Sequence, residues 1–226
     1  MMVRVLGVDA CKAGWVGIEL DGVAVRASFA PTIADLVAVV GRELDVVAID
    51  IPIGLPDRSG RTADTLARRG LGRRGSTIFM TPVRSAVVEE DYDAANRAAR
   101  AATGAGISRQ AHGLRVKILD VDAYRAVAPV RLVEVHPELS FTRMTGQVLP
   151  RKTSWAGAAA RRTALAAEGV VLDDSLGLAG QMAAVDDVLD AAAAAWSARR
   201  VAAGLAESYP AQPEVFSDGW PAAIWV

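Results

Sequence analysis

The sequence predicts an α/β domain on a mixed five-stranded sheet, a three-strand antiparallel meander joined by two parallel strands, with flanking helices. Three observations predict it. β-rich runs separated by glycine-containing turns fill residues 2–29. Two further apolar runs, at 46–50 and 130–136, each follow a helical pattern, and a strand reached through a helix lies parallel to its neighbour in the sheet. Between those two runs the chain turns irregular and helical, which predicts a helical insertion at about 56–128 within a single domain spanning 1–226.

Taken in order, MVRVLGVD (2–9) is a short strand ending on an acid, and the turn ACKAG leads into WVGIEL (15–20). Asp21-Gly22 marks a tight hairpin, and VAVRASF (23–29) completes the meander. Pro31-Thr32 starts a helix over TIADLVAVVGREL, in which Ile33, Leu36, Val37, Val40 and Leu44 recur at helical spacing. VVAID (46–50) is the fourth strand. In the insertion, TADTLARRGLG is a helix closed by glycine, STIFMTPVRSAV a loop that packs, DYDAANRAARAATGAG a glycine-capped helix and GLRVKILDVDAYRAV another. VRLVEVHPE (130–138) is the fifth strand, halted at Pro137. KTSWAGAAARRTALAAEG is a helix with a threonine start and a glycine stop. VDDVLDAAAAAWSARRVAAG (185–204) is the last long helix, and the tail EVFSDGWPAAIWV is too short and proline-broken to form its own unit.

With 226 residues the chain can bury a core without disulfides or a structural metal. Its one cysteine, Cys11, excludes an internal disulfide and a zinc knuckle. No charge-free stretch approaches the roughly 18 residues of a membrane span, and Arg4 and Asp9 interrupt the first apolar run, so neither a membrane partner nor a signal peptide is expected. A cytoplasmic location is the corresponding expectation. The net charge of −1 argues against coating nucleic acid by bulk electrostatics. Charge is nevertheless uneven: from Asp57 to Arg84 seven arginines face two aspartates.

Acids recur at analogous places. Asp9 ends the first strand, Asp50 the fourth, and Glu134 lies at the end of the fifth. Asp187 and Asp190 are three residues apart in the last helix and share a face, while Asp186 is expected to cap that helix. Where the first, fourth and fifth strands are parallel neighbours, acids at their carboxyl ends gather at one crevice, which is where open α/β sheets bind ligands. Clustered carboxylates repel, and a hard divalent cation such as Mg²⁺ or Mn²⁺ is the usual compensation. Such a cluster supports hydrolysis of a phosphodiester.

The motifs GVDACKAGWVG, AIDIPIGLP, EVHPELSF and DDVLDAAAAAW, with RRGLGRRGSTIFMTPVR and the closing DGWPAAIWV, resemble the family called domain of unknown function 429, whose members are described as predicted RNase H-like nucleases. The resemblance runs nearly end to end. It implies an RNase H-like fold and carries the family's acidic set onto Asp9, Asp50, Glu134, Asp187 and Asp190, with Asp9, Asp50, Asp187 and Asp190 as ligands of Mg²⁺ or Mn²⁺. The D-x-x-D spacing of the last helix is similar to that of Holliday-junction resolvases of this fold. The expected activity is metal-dependent cleavage of nucleic acid, and no organic cofactor is expected.

Alternatives stay open at several positions. His136 and Glu138 compete with Glu134 for the third strand's contribution. Lys12, beside Asp9, and Arg73, Arg84 and His136 are candidate phosphate contacts, each also readable as a solvated or structural residue. TGAGIS (103–108) follows a helix and so lacks the strand that a dinucleotide fingerprint requires. The five tryptophans read as packing residues. Two rival functions share the acid cluster: a phosphotransferase of the actin-like sugar-kinase kind, which would need a duplicated lobe, and a non-catalytic binding or scaffold module.

Overall fold

The structure is a computed structural model that describes residues 3–41 and 43–226, apart from the side chain of Arg73. Among the described residues the strands are β1 (Arg4–Cys11), β2 (Gly14–Asp21), β3 (Ala24–Ala30), β4 (Val46–Ile49), β5 (Arg131–Val135), β6 (Ser208–Val215) and β7 (Pro221–Trp225). The helices are α1 (Ile33–Val40), α2 (Thr62–Gly70), α3 (Arg84–Val87), α4 (Tyr92–Thr103), α5 (Arg109–Gly113), α6 (Arg115–Arg125), α7 (Pro137–Thr145), α8 (Trp155–Ala167), α9 (Gly177–Met182) and α10 (Val185–Ala202).

The expected five-stranded sheet is corrected to a mixed seven-stranded one, ordered β3-β2-β1-β4-β5-β7-β6. β7 comes from the tail EVFSDGWPAAIWV, expected to be too short and proline-broken, and β6 lies mostly in the stretch before it, for which no element was expected. Pro210 and Pro213 lie on β6, the edge strand, where proline is better tolerated than in a central one, and Pro221 opens β7. Ala222, Ala223 and Ile224 of β7 are buried. By contacts the chain divides into two compact units, one of Met1–Ile51, Val127–Glu207 and Trp225–Val226, the other of Pro52–Ala126 and Ser208–Ile224.

In the first unit β1, β2 and β3 form the expected antiparallel meander. The second hairpin closes through Gly22 and Val23, with Asp21 still paired to Ala24 and Gly22 at φ 60°. Helix α1 is shorter than its apolar spacing suggests. Thr32 caps its start by accepting from the Asp35 N–H, and Gly41 ends it in the left-handed region. β4 then pairs parallel with β1, and β5 parallel with β4, as expected. Pro137 does more than halt β5: it is the first residue of α7, where a proline is already set for the helix.

Helix α10 packs on β1, β2 and β4, with α7 and α8 beside it. Ala191–Ala195 are all fully buried, and this run of small side chains lets the helix backbone approach the sheet closely. Gly7 of β1 receives it: a Cβ there would meet the Ala195 backbone nitrogen at 1.9 Å and the Ala191 carbonyl oxygen at 2.3 Å. Gly7 precedes Asp9 by two positions and Ala191 follows Asp190, so this close approach lies beside the acids.

In the second unit Val83, Ala86, Ala95 and Ala99 form a small core between α3 and α4. An ionic network surrounds Asp218, whose Oδ2 accepts from Arg84 at 2.7 Å, Arg125 at 3.0 Å and the Leu55 N–H at 3.0 Å. Arg61 and Asp64, each 1% exposed, form a second buried pair, completed by the Thr81 N–H donating to Asp64 and Arg61 donating to the Ile53 carbonyl. Among the described residues no helix is long and apolar enough to cross a membrane.

Candidate functional site

The parallel pairing of β1 with β4 ends at Val8 opposite Ile49, and the Asp50 N–H extends it by donating to the Val8 carbonyl at 3.0 Å. Asp9 and Asp50 are therefore the next residues on two neighbouring strands, level with each other. In a pleated sheet residues level across a parallel pair share a face, and so do residues two apart on one strand. Asp9 thus shares the face of Gly7, against which α10 lies, and Asp50 shares it with Ala48. From α10, Asp190 enters the same space and is 3% exposed. Three carboxylates from two strands and one helix converge in this way.

Glu134 is level with Ile49 and Val8, one step short of Asp50, so the pleat directs it to the opposite face. It is buried and adds to the negative field at Asp50, but it does not stand beside Asp9. Glu138, in the first turn of α7, bears on Asp50 and on Asp190 and pairs with Arg161 at 2.5 Å. Asp187 is half-buried and turned to its own helix, where its Oδ2 accepts from the Ala184 N–H at 3.1 Å. The capping role expected of Asp186 is thus performed by Asp187, while Asp186 lies 3.6 Å from the Lys152 ammonium.

Lys152 is the cation of the site. Its Nζ is 2.6 Å from Asp190 Oδ2. It lies on the connection between α7 and α8, and that connection is held at three points. Arg161, fully buried over the Phe141 ring, donates to the Pro150 carbonyl at 2.9 Å. The Ser154 hydroxyl and N–H both donate to the Arg151 carbonyl, at 2.7 and 3.0 Å. Gly157 lets that carbonyl sit where a Cβ would be only 1.9 Å away.

The electrostatics follow from this packing. Burial, and then the charges of Asp50 and Asp190, push the Asp9 carboxyl well above the usual carboxylate range. Burial, then Asp190 and the two glutamates, do the same to Asp50, with Lys152 drawing both acids back. Asp190 is pushed up to about 6 because burial outweighs the ammonium beside it. For Lys152 burial opposes the charge, but Asp190 and then Asp9 hold the ammonium above the ordinary lysine range. The pair is unequal: the lysine gains from it, whereas the aspartate loses more to burial than it recovers.

A family model described as Protein of unknown function (DUF429) matches residues 7–215. The chain belongs to this family. No curated protein and no solved structure matches it. The DUF429 match covers every residue of the acidic site, from Asp9 to Asp190, together with Lys152.

Among the residues singled out in the sequence of this DUF429 member, the structure brings together Asp9, Asp50 and Asp190, with Asp187 at the margin. Lys12 is exposed in the turn after β1. His136 is the half-buried N-cap of α7, its carbonyl accepting from the Leu139 and Ser140 N–H groups. Arg84 belongs to the Asp122 and Asp218 network of the second unit, where it pairs with both acids. The side chain of Arg73 lies outside the described residues. Sequence reasoning missed Lys152 and Arg161. A usable signal existed for the first: the chain has three lysines among 25 basic residues, so each lysine marks a choice against arginine. Trp155, expected to pack, is 90% exposed at the start of α8.

Proposed function

We propose that this protein is an RNase H-like, divalent-cation-dependent phosphodiesterase acting on nucleic acid, with Asp9, Asp50 and Asp190 as its cation ligands. The observation that carries the reading is the state of Asp190: its side chain is 4% exposed, and its Oδ1 is buried with no hydrogen-bond partner while Oδ2 faces Lys152. A buried carboxylate oxygen without a partner is costly unless something fills the gap. The donor set suits a hard cation, being all oxygen, and the mutual repulsion at Asp9 and Asp50 calls for more positive charge than one lysine supplies. As the side chains stand, no group of three or more His, Cys, Asp and Glu among the described residues could hold a metal ion. The donors fit in kind, and closing them around an ion requires their rotamers to change.

A cation in this position supplies an activated water and offsets charge on the phosphate oxygens. The chain's own residues do the rest. Asp9 and Asp50 are held by adjacent strands, so their spacing is set by the sheet rather than by a loop. Asp190 is fixed by the Gly7–Ala191 contact. Arg161 holds Glu138 by an ion pair, which leaves the three aspartates as the acids available to a ligand.

The test is cleavage of single-stranded, duplex and branched DNA and RNA in Mg²⁺ or Mn²⁺, with Asp9→Asn and Asp50→Asn as variants and circular dichroism confirming their fold. We expect cation-dependent cleavage that falls at least about 100-fold in either variant, the scale on which removing a transition-state charge contact acts. Cleavage that survives both substitutions, or that persists in chelator, overturns the reading.

A further inference from the structure

The geometry points to Lys152 as a resident counter-ion that a divalent cation displaces: its ammonium occupies the acids' space when no metal is bound and leaves Asp190 when one is. The inference rests on the carboxylate cluster being a cation site.

Exposure gives the first argument. The Lys152 side chain is 38% exposed and the Asp190 side chain 4%, so one partner can return to water and the other cannot. Lysine suits this exchange because its charge is a strongly hydrated point on a flexible stem, whereas an arginine fork would lock onto the carboxylate. The stem starts from a backbone fixed by Arg161, Ser154 and Gly157, so withdrawal needs only side-chain rotation and opens no cavity in the core.

Coverage gives the second. The ammonium reaches Asp190 at 2.6 Å and Asp186 only at 3.6 Å. No ion pair among the described residues reaches Asp9 or Asp50. A single charge touching one of three clustered carboxylates is a partial solution, and it leaves Asp190 Oδ1 unpartnered. A divalent ion carries twice the charge and binds several carboxylate oxygens at once. The two cations compete for Asp190 Oδ2, and this competition accounts for a cluster of oxygen donors that is not closed into a cage.

The experiment is a calorimetric Mn²⁺ titration of the full chain at pH 7.5 and low ionic strength, comparing wild type with Lys152→Met and Lys152→Arg. Lys152→Met removes the competitor and is expected to bind Mn²⁺ about tenfold more tightly, equivalent to about 1.4 kcal/mol. Lys152→Arg keeps a competing cation whose fork locks onto the carboxylate, and is expected to bind Mn²⁺ more weakly than wild type. A second measurement needs no variant: acetylation of Lys152, read by mass spectrometry, is expected to rise when wild type is saturated with Mn²⁺. Equal or weaker Mn²⁺ binding by Lys152→Met, or Lys152 acetylation unchanged by Mn²⁺, overturns the exchange while leaving the cation site standing. Failure of every form, wild type included, to bind Mn²⁺ overturns the site and the exchange with it.

Discussion

Asp190→Asn is expected to stabilise the metal-free protein at neutral pH, although it removes an ion pair. The carboxyl is raised from 3.8 to about 6, so at pH 8 the charged form costs the folded state about 3 kcal/mol relative to the neutral one. Asparagine has the shape of the neutral acid without its proton equilibrium. The lysine left behind is partly exposed and can solvate. Between about 4 and 6 the folded chain holds a proton that the unfolded chain has released, so lowering the pH through that window favours folding. The wild type is therefore penalised in full above about pH 7 and not at all below about pH 4. The advantage of Asp190→Asn should follow the same curve, reaching about 3 kcal/mol at pH 8 and vanishing near pH 4.

Urea denaturation in chelator from pH 4.5 to 8 reads this directly, and the difference between the two proteins is the quantity to follow. Other acids, such as Asp21 beside Arg4 and Arg26, are held below their usual range and stabilise with the opposite pH dependence. Those contributions are common to both proteins and cancel. On the thermal scale, about 3 kcal/mol in a chain of this size corresponds to roughly 6–12 °C. An asparagine variant less stable than wild type across the whole range would refute the reasoning. It would mean that the Lys152 contact outweighs burial, and that the site is a settled ion pair rather than an under-compensated one.

Two further outcomes test the surroundings of the site. Gly7→Ala places a methyl group 1.9 Å from the Ala195 nitrogen, so α10 must move off β1; we expect a loss of about 3 kcal/mol or more by urea denaturation, along with loss of Mn²⁺ binding. Asp218→Ala strips one acceptor from both Arg84 and Arg125, and the Arg125 side chain is only 4% exposed. Arg125 and Arg84 both keep Asp122, so the loss of one charged acceptor is expected to cost about 1.5–3 kcal/mol, whereas an unchanged denaturation midpoint would show the network to be dispensable.

The fold was legible where local rules and tertiary packing agree. The meander was readable because β-rich runs are separated by short turns, one of them built on the positive-φ Gly22, and the parallel placement of β4 and β5 followed from the helix-bearing connections. The tail failed for a reason that can be stated. Pro221 argues against a strand only in its interior, and here it is the first residue of β7; β6, in the unassigned stretch before the tail, carries Pro210 and Pro213, and no local signal says which strand will lie at an edge. Helix α7 was hidden by the same residue type: Pro137 ends a strand and opens a helix with equal ease.

The site was legible to the extent that strand ends dictate it. Asp9 and Asp50 could be placed together because each ends an apolar run, and topology alone makes them neighbours. Glu134 looked equivalent because it also lies near a strand end, but the register sets it one residue short, and in a pleated sheet one residue changes the face. Lys152 could be flagged by its rarity but not placed, and Arg161 could be neither, because they lie on a loop and a helix whose approach to the acids depends on how α8 packs beside α10. This division has a chemical consequence. The part readable from the sequence is the negative half of the site, which invites the assumption that a metal is its only counter-charge. The part that needed the fold is the positive half, a lysine already seated on the most buried of the three acids, so any cation that binds here must do so in exchange for a charge the protein itself provides.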